Sequence, residues 1–141
     1  MYRDTVTLFN YYNGKWYPTV LNNVDLNADR AAILARYGAT SSDRARLHVA
    51  YQLTADGEIN IGSNKYVKPE NYSGEAGTIT FASGNLFSFF SSFAWNGETA
   101  ISDDDYVQGF YNYMNSLSGE VYAVSSVAMY SVIPHFEVMG K

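Results

Sequence analysis

The segments Met1-Tyr-Arg-Asp-Thr-Val-Thr-Leu-Phe-Asn10 and Val132-Ile-Pro-His-Phe-Glu-Val-Met-Gly-Lys141 decide the predicted fold of this chain. In the first segment, Val6 and Leu8 alternate with Thr and Phe residues, which is the two-residue period of a β-strand. The second segment alternates in the same way after Pro134, a residue that interrupts the Val- and Tyr-rich run before it. Both segments therefore predict strands of one small β-barrel.

The first predicted strand leads into a β-hairpin. It runs from Thr5 to about Tyr11, and Asn13-Gly14 separates it from the second run, Lys15-Trp-Tyr-Pro-Thr-Val-Leu21. Asn-Gly between two such runs favours a two-residue turn, because both residues tolerate positive φ. Since Pro18 cannot donate to a strand ladder, the second strand is predicted to be an edge or to bulge there.

Further short strands are predicted along the middle of the chain. Residues 44–53 alternate, with Leu47, Val49 and Tyr51 on one face. Shorter runs at 58–61, 65–68 and 77–81 are separated by Gly- and Asn-containing turns. Together with the terminal segments, these runs predict a mainly β fold, a small barrel built of hairpins.

Two segments depart from the strand pattern. From Asn22 to Asp43 the pattern changes, and residues 25–38 contain good helix formers with Gly38 as a natural stop, which predicts either a long early loop or a short helix. From about residue 103 to residue 117, apolar residues recur at three- and four-residue steps after an acidic first turn, with Ser102 as the expected N-cap. That second segment predicts one amphipathic helix, with Val107 and Leu117 among its apolar positions.

The run from Leu86 to Trp95 holds four Phe, one Leu and one Trp, which is too much apolar surface to leave in water. It fills the barrel interior or it contacts a neighbouring subunit. On the second alternative, the interface candidates are Phe87, Phe89, Phe90, Phe93 and Trp95.

Length and composition indicate one domain over residues 1–141. The chain is 47% hydrophobic and 16% charged, with 13 Tyr, and lacks Cys, which excludes disulfides and thiolate metal sites. A net charge of −5 argues against a protein that binds nucleic acid tightly through the phosphates. The same charge is compatible with a channel wall along which DNA moves without being bound. No apolar run is long enough to span a bilayer, which favours a cytoplasmic protein.

Motifs of enzyme chemistry are missing from the sequence. The two histidines, His48 and His135, lack recognisable zinc-ligand spacing, and metal ligation by them would need a coincidence of folding. No serine lies in Gly-x-Ser-x-Gly, and the glycines form neither a Walker loop nor a dinucleotide fingerprint. We therefore expect no catalytic, cofactor-binding or metal site, and no enzyme.

Four sequence motifs carry a resemblance to a known family. These are Y-x-D-T-V-T-L-F-N at residues 2–10, Trp16-Tyr17 in the second strand, K-Y-V-K-P-E-N-Y at residues 65–72 and P-H-F-E-V-x-G-K at residues 134–141. They resemble the head-closure, or stopper, proteins of long-tailed siphophages. The resemblance implies a small β-barrel with a helix that assembles as a homo-oligomeric ring, a hexamer, in the virion neck.

In that family, the ring lies between the portal or adaptor proteins and the tail terminator, where it closes the DNA channel of the filled head and joins head to tail. The resemblance therefore implies transient contact with double-stranded DNA, no membrane partner, and assembly in the host cytoplasm. The family's gating loop corresponds by position to Leu26 to Asp43. Candidate channel-loop or intersubunit residues in and beside it are Leu26, Asp29, Arg30, Arg36, Tyr37, Arg44 and Arg46.

The four arginines make this quarter of the chain locally basic, which suits intersubunit ion pairs or contact with phosphate. The alternative interpretation is that these side chains are solvated and bind nothing. The sequence departs from the family pattern in two places. The segment from Leu26 to Asp43 is partly helical, and the aromatic-rich stretch at residues 85–100 is long. The alternatives to a stopper are a tail terminator or another neck ring protein. A carbohydrate-binding β-domain with Tyr and Trp stacking platforms is a further alternative from a different class.

Overall fold

The chain is built around a closed antiparallel β-barrel of six strands. This computed structural model describes residues 2–38, 42–84 and 88–141. In chain order the elements are β1 (Asp4–Tyr12), β2 (Lys15–Asn27), α1 (Arg30–Tyr37), β3 (Ala45–Ala50), β4 (Gln52–Leu53), β5 (Ile59–Ile61), β6 (Asn64–Tyr66), β7 (Thr78–Ile79), β8 (Ser88–Ser91), β9 (Ile101–Ser102), α2 (Phe110–Ser118), β10 (Val121–Tyr130) and β11 (His135–Gly140). The barrel strands follow the order β1–β8–β10–β11–β3–β2 and return to β1. The predicted mainly β barrel is confirmed.

The first hairpin forms as predicted. Asn13 and Gly14 both have positive φ, 52° and 83°, and Tyr12 pairs with Lys15 across the turn. Pro18 lies opposite Phe9 of β1, and the other edge of β2 pairs with β9 only at residues 15–16 and with β3 only at residues 25–27. In the described residues, Pro18 therefore lies on an edge, as its missing N–H requires.

Strand β2 changes partners along its length. An extra residue near Asn23, which has a φ of 59°, shifts the register against β1. Beyond this bulge, Leu26 pairs with Leu47 of β3. A bulge bends a strand and increases its twist, and here it carries β2 from one side of the barrel to the next.

The barrel interior is filled by the inward faces of the alternating strands. Val6 and Leu8, as well as the predicted face of Leu47, Val49 and Tyr51, are buried there. The interior also takes Phe90 and Phe136 and, from the small sheet β4–β5–β6–β7, Ile61 and Ile79. This alternation agrees with the two-residue period of the sequence.

Gly140 brings β11 close to two aromatic side chains of the neighbouring barrel strands. A Cβ atom at this position would lie 2.6 Å from Cβ of Tyr122 and 2.9 Å from Cζ of Phe90. Glycine is therefore required for the approach of β11 to β10 and β8 at this level of the barrel.

A second apolar cluster covers part of the outside of the barrel. Phe9 and Phe89, on the outward faces of β1 and β8, pack with Trp16, Phe110 and Met114. The rings of Phe9 and Phe89 are stacked with centroids 4.5 Å apart. Because this cluster covers its outer face, β1 is buried on both faces over residues 6–10.

The predicted helix at 103–117 is confirmed in part, because it begins later than its sequence indicates. Asp103–Asp105 form a single 3-10 turn, and α2 starts at Phe110 after Gly109, which has a φ of 89°. Ser102 makes no side-chain cap, whereas Asp103 Oδ1 accepts hydrogen bonds from Trp16 Nε1 (2.9 Å) and from the Phe110 N–H (2.8 Å). The helix ends at Ser118, one residue beyond the predicted end at 117, and Gly119 follows it with a φ of 68°.

The apolar face of this helix is narrower than predicted. Phe110 and Met114 are buried, but Val107 precedes the helix and is fully exposed, and Leu117 is exposed as well. The late start of α2 explains the exposure of Val107, which lies before the helix, and Leu117 is exposed in its last turn.

We expect Asp103→Ala to lower the free energy of unfolding by about 1–3 kcal/mol, because it leaves the buried indole N–H of Trp16 and the Phe110 N–H without their shared acceptor. The matched control is Asp104→Ala, at an exposed position in the same turn, with an expected change within about 0.5 kcal/mol. Urea unfolding of both variants measures the difference. Equal losses would show that Asp103 does not hold α2 on the barrel.

Candidate interaction surface

The early excursion contains a short helix, as one of the two sequence alternatives predicted. Asn27 Oδ1 accepts the Asp29 N–H (2.8 Å), and Asp29 Oδ1 accepts the Ala31 N–H (3.0 Å), so Asp29 caps the start of α1. Ile33 is buried and attaches the helix to the barrel. Leu26 lies in β2 before the helix and packs partly buried against the barrel interior, and Tyr37 is the last residue of α1.

The predicted basic residues differ in their surroundings. Arg30 Nη1 donates to the Asp43 carbonyl, and Arg36 is exposed in the last turn of α1. Arg44 Nη2 donates to the carbonyl of Val121 (2.8 Å), and its guanidinium carbon lies 4.8 Å from the centre of the Tyr122 ring. Arg46 is half-buried in β3. Arg30 and Arg44 thus make backbone contacts inside the chain.

The aromatic run behaves mainly as core. Phe89 and Phe90 are 1% and 0% exposed, on opposite faces of β8, so neither is available to a neighbouring subunit. Strand β8 pairs with β1 on one edge and with β10 on the other, and an apolar cluster covers each of its faces. Both phenylalanines are therefore buried. Phe93 and Trp95 pack partly buried against the outer cluster. Phe87 lies outside the described residues.

The sequence prediction missed the turn between β10 and β11, which carries exposed apolar residues. Here Val132 is 95% exposed and Ile133 is 76% exposed. We call residues 129–134 the hairpin tip. A turn is normally polar, so two consecutive large aliphatic residues before Pro134 are the signal from which this surface could have been found.

The hairpin tip is held in position at its base. The Tyr51 hydroxyl donates to the carbonyl of Tyr130 (3.0 Å), and the Tyr51 N–H donates to the carbonyl of Pro134 (3.2 Å). The Tyr130 ring stacks on the His135 ring, with centroids 4.8 Å apart and an interplanar angle of 12°. The exposed side chains are therefore presented from an anchored turn.

An aromatic cavity of about 840 Å³ lies beside the tip and shares Met129 with it. Six rings line it: Tyr11, Tyr12, Tyr66, Tyr72, Phe81 and Phe136. Its aliphatic wall is Val127 and Met129 of β10. Cavity and tip thus form one continuous apolar surface, bounded on one side by β10.

The polar groups of the cavity favour neutral hydrogen bonding. Burial raises the pKa of the Tyr72 hydroxyl to about 12, with a further contribution from nearby Tyr17. Burial also raises the pKa of Tyr66, and the nearby Thr80 hydroxyl opposes that rise. Among the described lining residues, Glu70 is the only charged one. This surface can therefore pack apolar groups and exchange hydrogen bonds through phenols that remain protonated at neutral pH.

The two histidines, which their spacing left unrelated, lie together on the outside of the barrel. His48 of β3 pairs in register with Glu137 of β11, and His135 lies on the same face of β11 two residues earlier. Only strand pairing brings them together, so sequence spacing alone could not reveal the cluster.

Comparisons with known proteins identify no relative. No family model matches the chain, no curated protein matches it, and no solved structure matches it. As to membranes, neither helix in the described part of the chain combines the length and the apolar character that crossing one requires.

We expect Tyr72 to ionise late in an alkaline titration. Its folded-state pKa is raised from 10 to about 12, so the stability contributed by the protonated phenol is complete below pH 10 and is lost as the pH rises towards 12. The tyrosinate absorbance of wild type minus that of Tyr72→Phe should show a single ionisation near pH 12. A difference curve centred near pH 10 would contradict the buried position of the hydroxyl.

Proposed function

We propose that this protein is a ring-forming structural component of a siphophage-like neck, a head-closure protein that lies between the portal or adaptor proteins and the tail terminator. The ring closes the DNA channel of the filled head and joins head to tail. The four sequence motifs and the closed barrel support this proposal. The observation that carries it is the hairpin tip, because an anchored, exposed apolar turn is a surface that a protein partner normally covers.

Barrel closure determines how subunits associate. The six barrel strands pair with one another in a closed circle, so the barrel offers few open sheet edges for assembly, one of them on β2 around Pro18. The hairpin tip and the aromatic cavity are different surfaces with the same apolar character. Contact of one surface with a different surface on the next copy is heterologous, and such contacts generate rings when the rotation closes. We propose a hexamer of this kind.

Burial of the hairpin tip would contribute to the free energy of each ring contact. Burying a Val or Ile side chain fully contributes about 1.5–3 kcal/mol. Val132 and Ile133 are 95% and 76% exposed in the monomer, so almost all of their surface is available for association. Six repeated contacts of this size in a closed ring reinforce one another, because the last contact forms within an existing assembly.

The proposed channel element is the segment from Leu26 to Asp43, with α1 at its centre. Its assignment rests on position in the family resemblance. Arg36 is exposed on α1, and the net charge of −5 keeps the affinity of the whole chain for phosphate low. A channel wall of this composition permits DNA to pass without holding it. A tail terminator remains the alternative within the same class, with the hairpin tip then facing the tail tube.

We expect the double variant Val132→Ser/Ile133→Ser to convert the hexamer into folded monomers that keep the circular dichroism spectrum of the wild type, because both side chains are exposed in the subunit. Leu53→Ser and Leu117→Ser are matched controls, since these leucines are 65% and 67% exposed elsewhere on the surface. Native mass spectrometry measures the oligomeric state.

Retention of the hexamer by the double variant, or its loss in the controls, would contradict assembly through the tip. A strictly monomeric wild type that is absent from the necks of purified virions would overturn the neck function itself.

The aromatic cavity specifically favours a second candidate, a carbohydrate-binding domain. Exposed Tyr12 at the rim and the rings behind it offer stacking faces, and Asn13 and Glu70 offer polar groups to hydroxyls. A soluble oligosaccharide that changes the tyrosine fluorescence of a monomeric wild type, with loss of the change in Tyr12→Ala, would support this candidate over the neck protein.

A further inference from the structure

The outside of the barrel carries a cluster of metal-ligating side chains formed by His48, His135 and Glu137. Each side chain offers one ligand atom, and these three atoms all lie within 4.8 Å of one another. His48 Nε2 lies 3.2 Å from Glu137 Oε2. All three side chains are partly buried, which limits the number of rotamers that they sample. The cluster is separate from the aromatic cavity, whose lining includes none of the three residues.

The hydrogen bond of His135 determines which of its nitrogens is available. Its Nδ1 lies 2.7 Å from the carbonyl oxygen of Ile133, and because a carbonyl only accepts, Nδ1 carries the proton. The lone pair of the neutral ring is therefore on Nε2. Metal-binding histidines typically donate their other N–H to a backbone carbonyl or a carboxylate in this way.

His48 also lies near a second carboxylate, although its contact with Asp25 is longer than a hydrogen bond. Its Nε2 faces Glu137, and its Nδ1 lies 3.8 Å from Asp25 Oδ2 on the neighbouring strand β2. Asp25, His48 and Glu137 lie in one cross-strand row, because Asp25 pairs with His48 and His48 pairs with Glu137. An acid behind a histidine orients the ring and raises its basicity as a ligand.

We propose that His48, His135 and Glu137 form a site for a divalent transition-metal ion of the zinc type, with Asp25 as a positioning residue behind His48. Two imidazoles and one carboxylate suit Zn²⁺, Ni²⁺ or Cu²⁺, whereas Ca²⁺ and Mg²⁺ require oxygen ligands. Three protein ligands leave one tetrahedral position open to water or to a group from a partner.

The distances are compatible with this geometry after a small movement. Zinc bonds of about 2.0–2.1 Å to nitrogen and oxygen place tetrahedral ligand atoms about 3.3 Å apart. The separation of 3.2 Å between His48 and Glu137 already satisfies this value. The largest separation in the cluster, 4.8 Å at most, requires an approach of about 1.5 Å, so metal binding would need small adjustments of the three side chains.

The position of the site gives the metal a structural consequence. His135 is the first residue of β11 and directly follows the hairpin tip, and His48 belongs to β3. A bound ion would therefore crosslink the base of the tip to the barrel wall. This inference does not depend on the neck function, because it concerns one subunit and ligands from one chain.

The test is calorimetric titration of the chelator-treated, purified full-length protein with zinc chloride. We expect one Zn²⁺ per chain, with a loss of affinity of about 100-fold in Glu137→Gln and in His135→Gln and of about 10-fold in Asp25→Asn. Glu75→Gln, at an exposed acid elsewhere on the surface, is the matched control and should bind as wild type does. Circular dichroism checks that each variant is folded.

Cobalt substitution provides a readout that needs only wild-type protein. Co²⁺ bound by two imidazoles and a carboxylate in a four-coordinate site gives intense visible absorption, which zinc then abolishes by displacement. Absence of these bands, non-saturating heats in wild type, or equal affinity in wild type, His135→Gln and Glu137→Gln would each overturn the proposal and leave a histidine held between carboxylates.

Discussion

The partner exchange along β2 is the constraint on which the rest of the structure depends. This strand pairs with β1 up to Val24 and with β3 over residues 25–27, and the bulge near Asn23 separates the two pairings. Without the bend, β2 would not pair with both β1 and β3, and the six-stranded ring would stay open. Within the closed ring, β3 pairs with β11, and this pairing carries the outer row that contains His48. The one-residue bulge in β2 is therefore required for a closed ring.

Two apolar clusters stabilise different parts of the structure. The inner cluster is the barrel filling, and the outer cluster attaches α2 and the segment before it to β1 and β8. The alternation of Phe89 and Phe90 supplies one large ring to each cluster, so a single strand connects them. Most of the aromatic residues are buried in these two clusters or pack against them, and the hairpin tip carries two of the exposed aliphatic side chains, Val132 and Ile133, at the proposed assembly contact.

Local sequence signals predicted the local structure well. Asn13-Gly14 specified its turn, and alternation identified the inward faces of β1 and β3, because turn chemistry and pleat act over a few residues. The start of α2 escaped prediction, because its cap is supplied by Asp103 from seven residues away, across Gly109. The cluster around His48 escaped for a related reason: His48 and Glu137 are 89 residues apart in the chain and meet only through strand register. Candidate sites that depend on register are therefore beyond spacing rules, whereas the apolar turn at Val132 was present in the sequence as an exception to ordinary turn composition.

Strand β11 also has a consequence for the synthesis of this protein. It lies between β10 and β3, so residues 135–140 must be present before the barrel can close. During translation, β1 to β3 wait for most of the chain with their inward apolar faces exposed. Such non-local pairing folds slowly, and unpaired strands are prone to aggregate. Barrel closure is therefore a late step in the synthesis of this chain, because it needs residues 135–140.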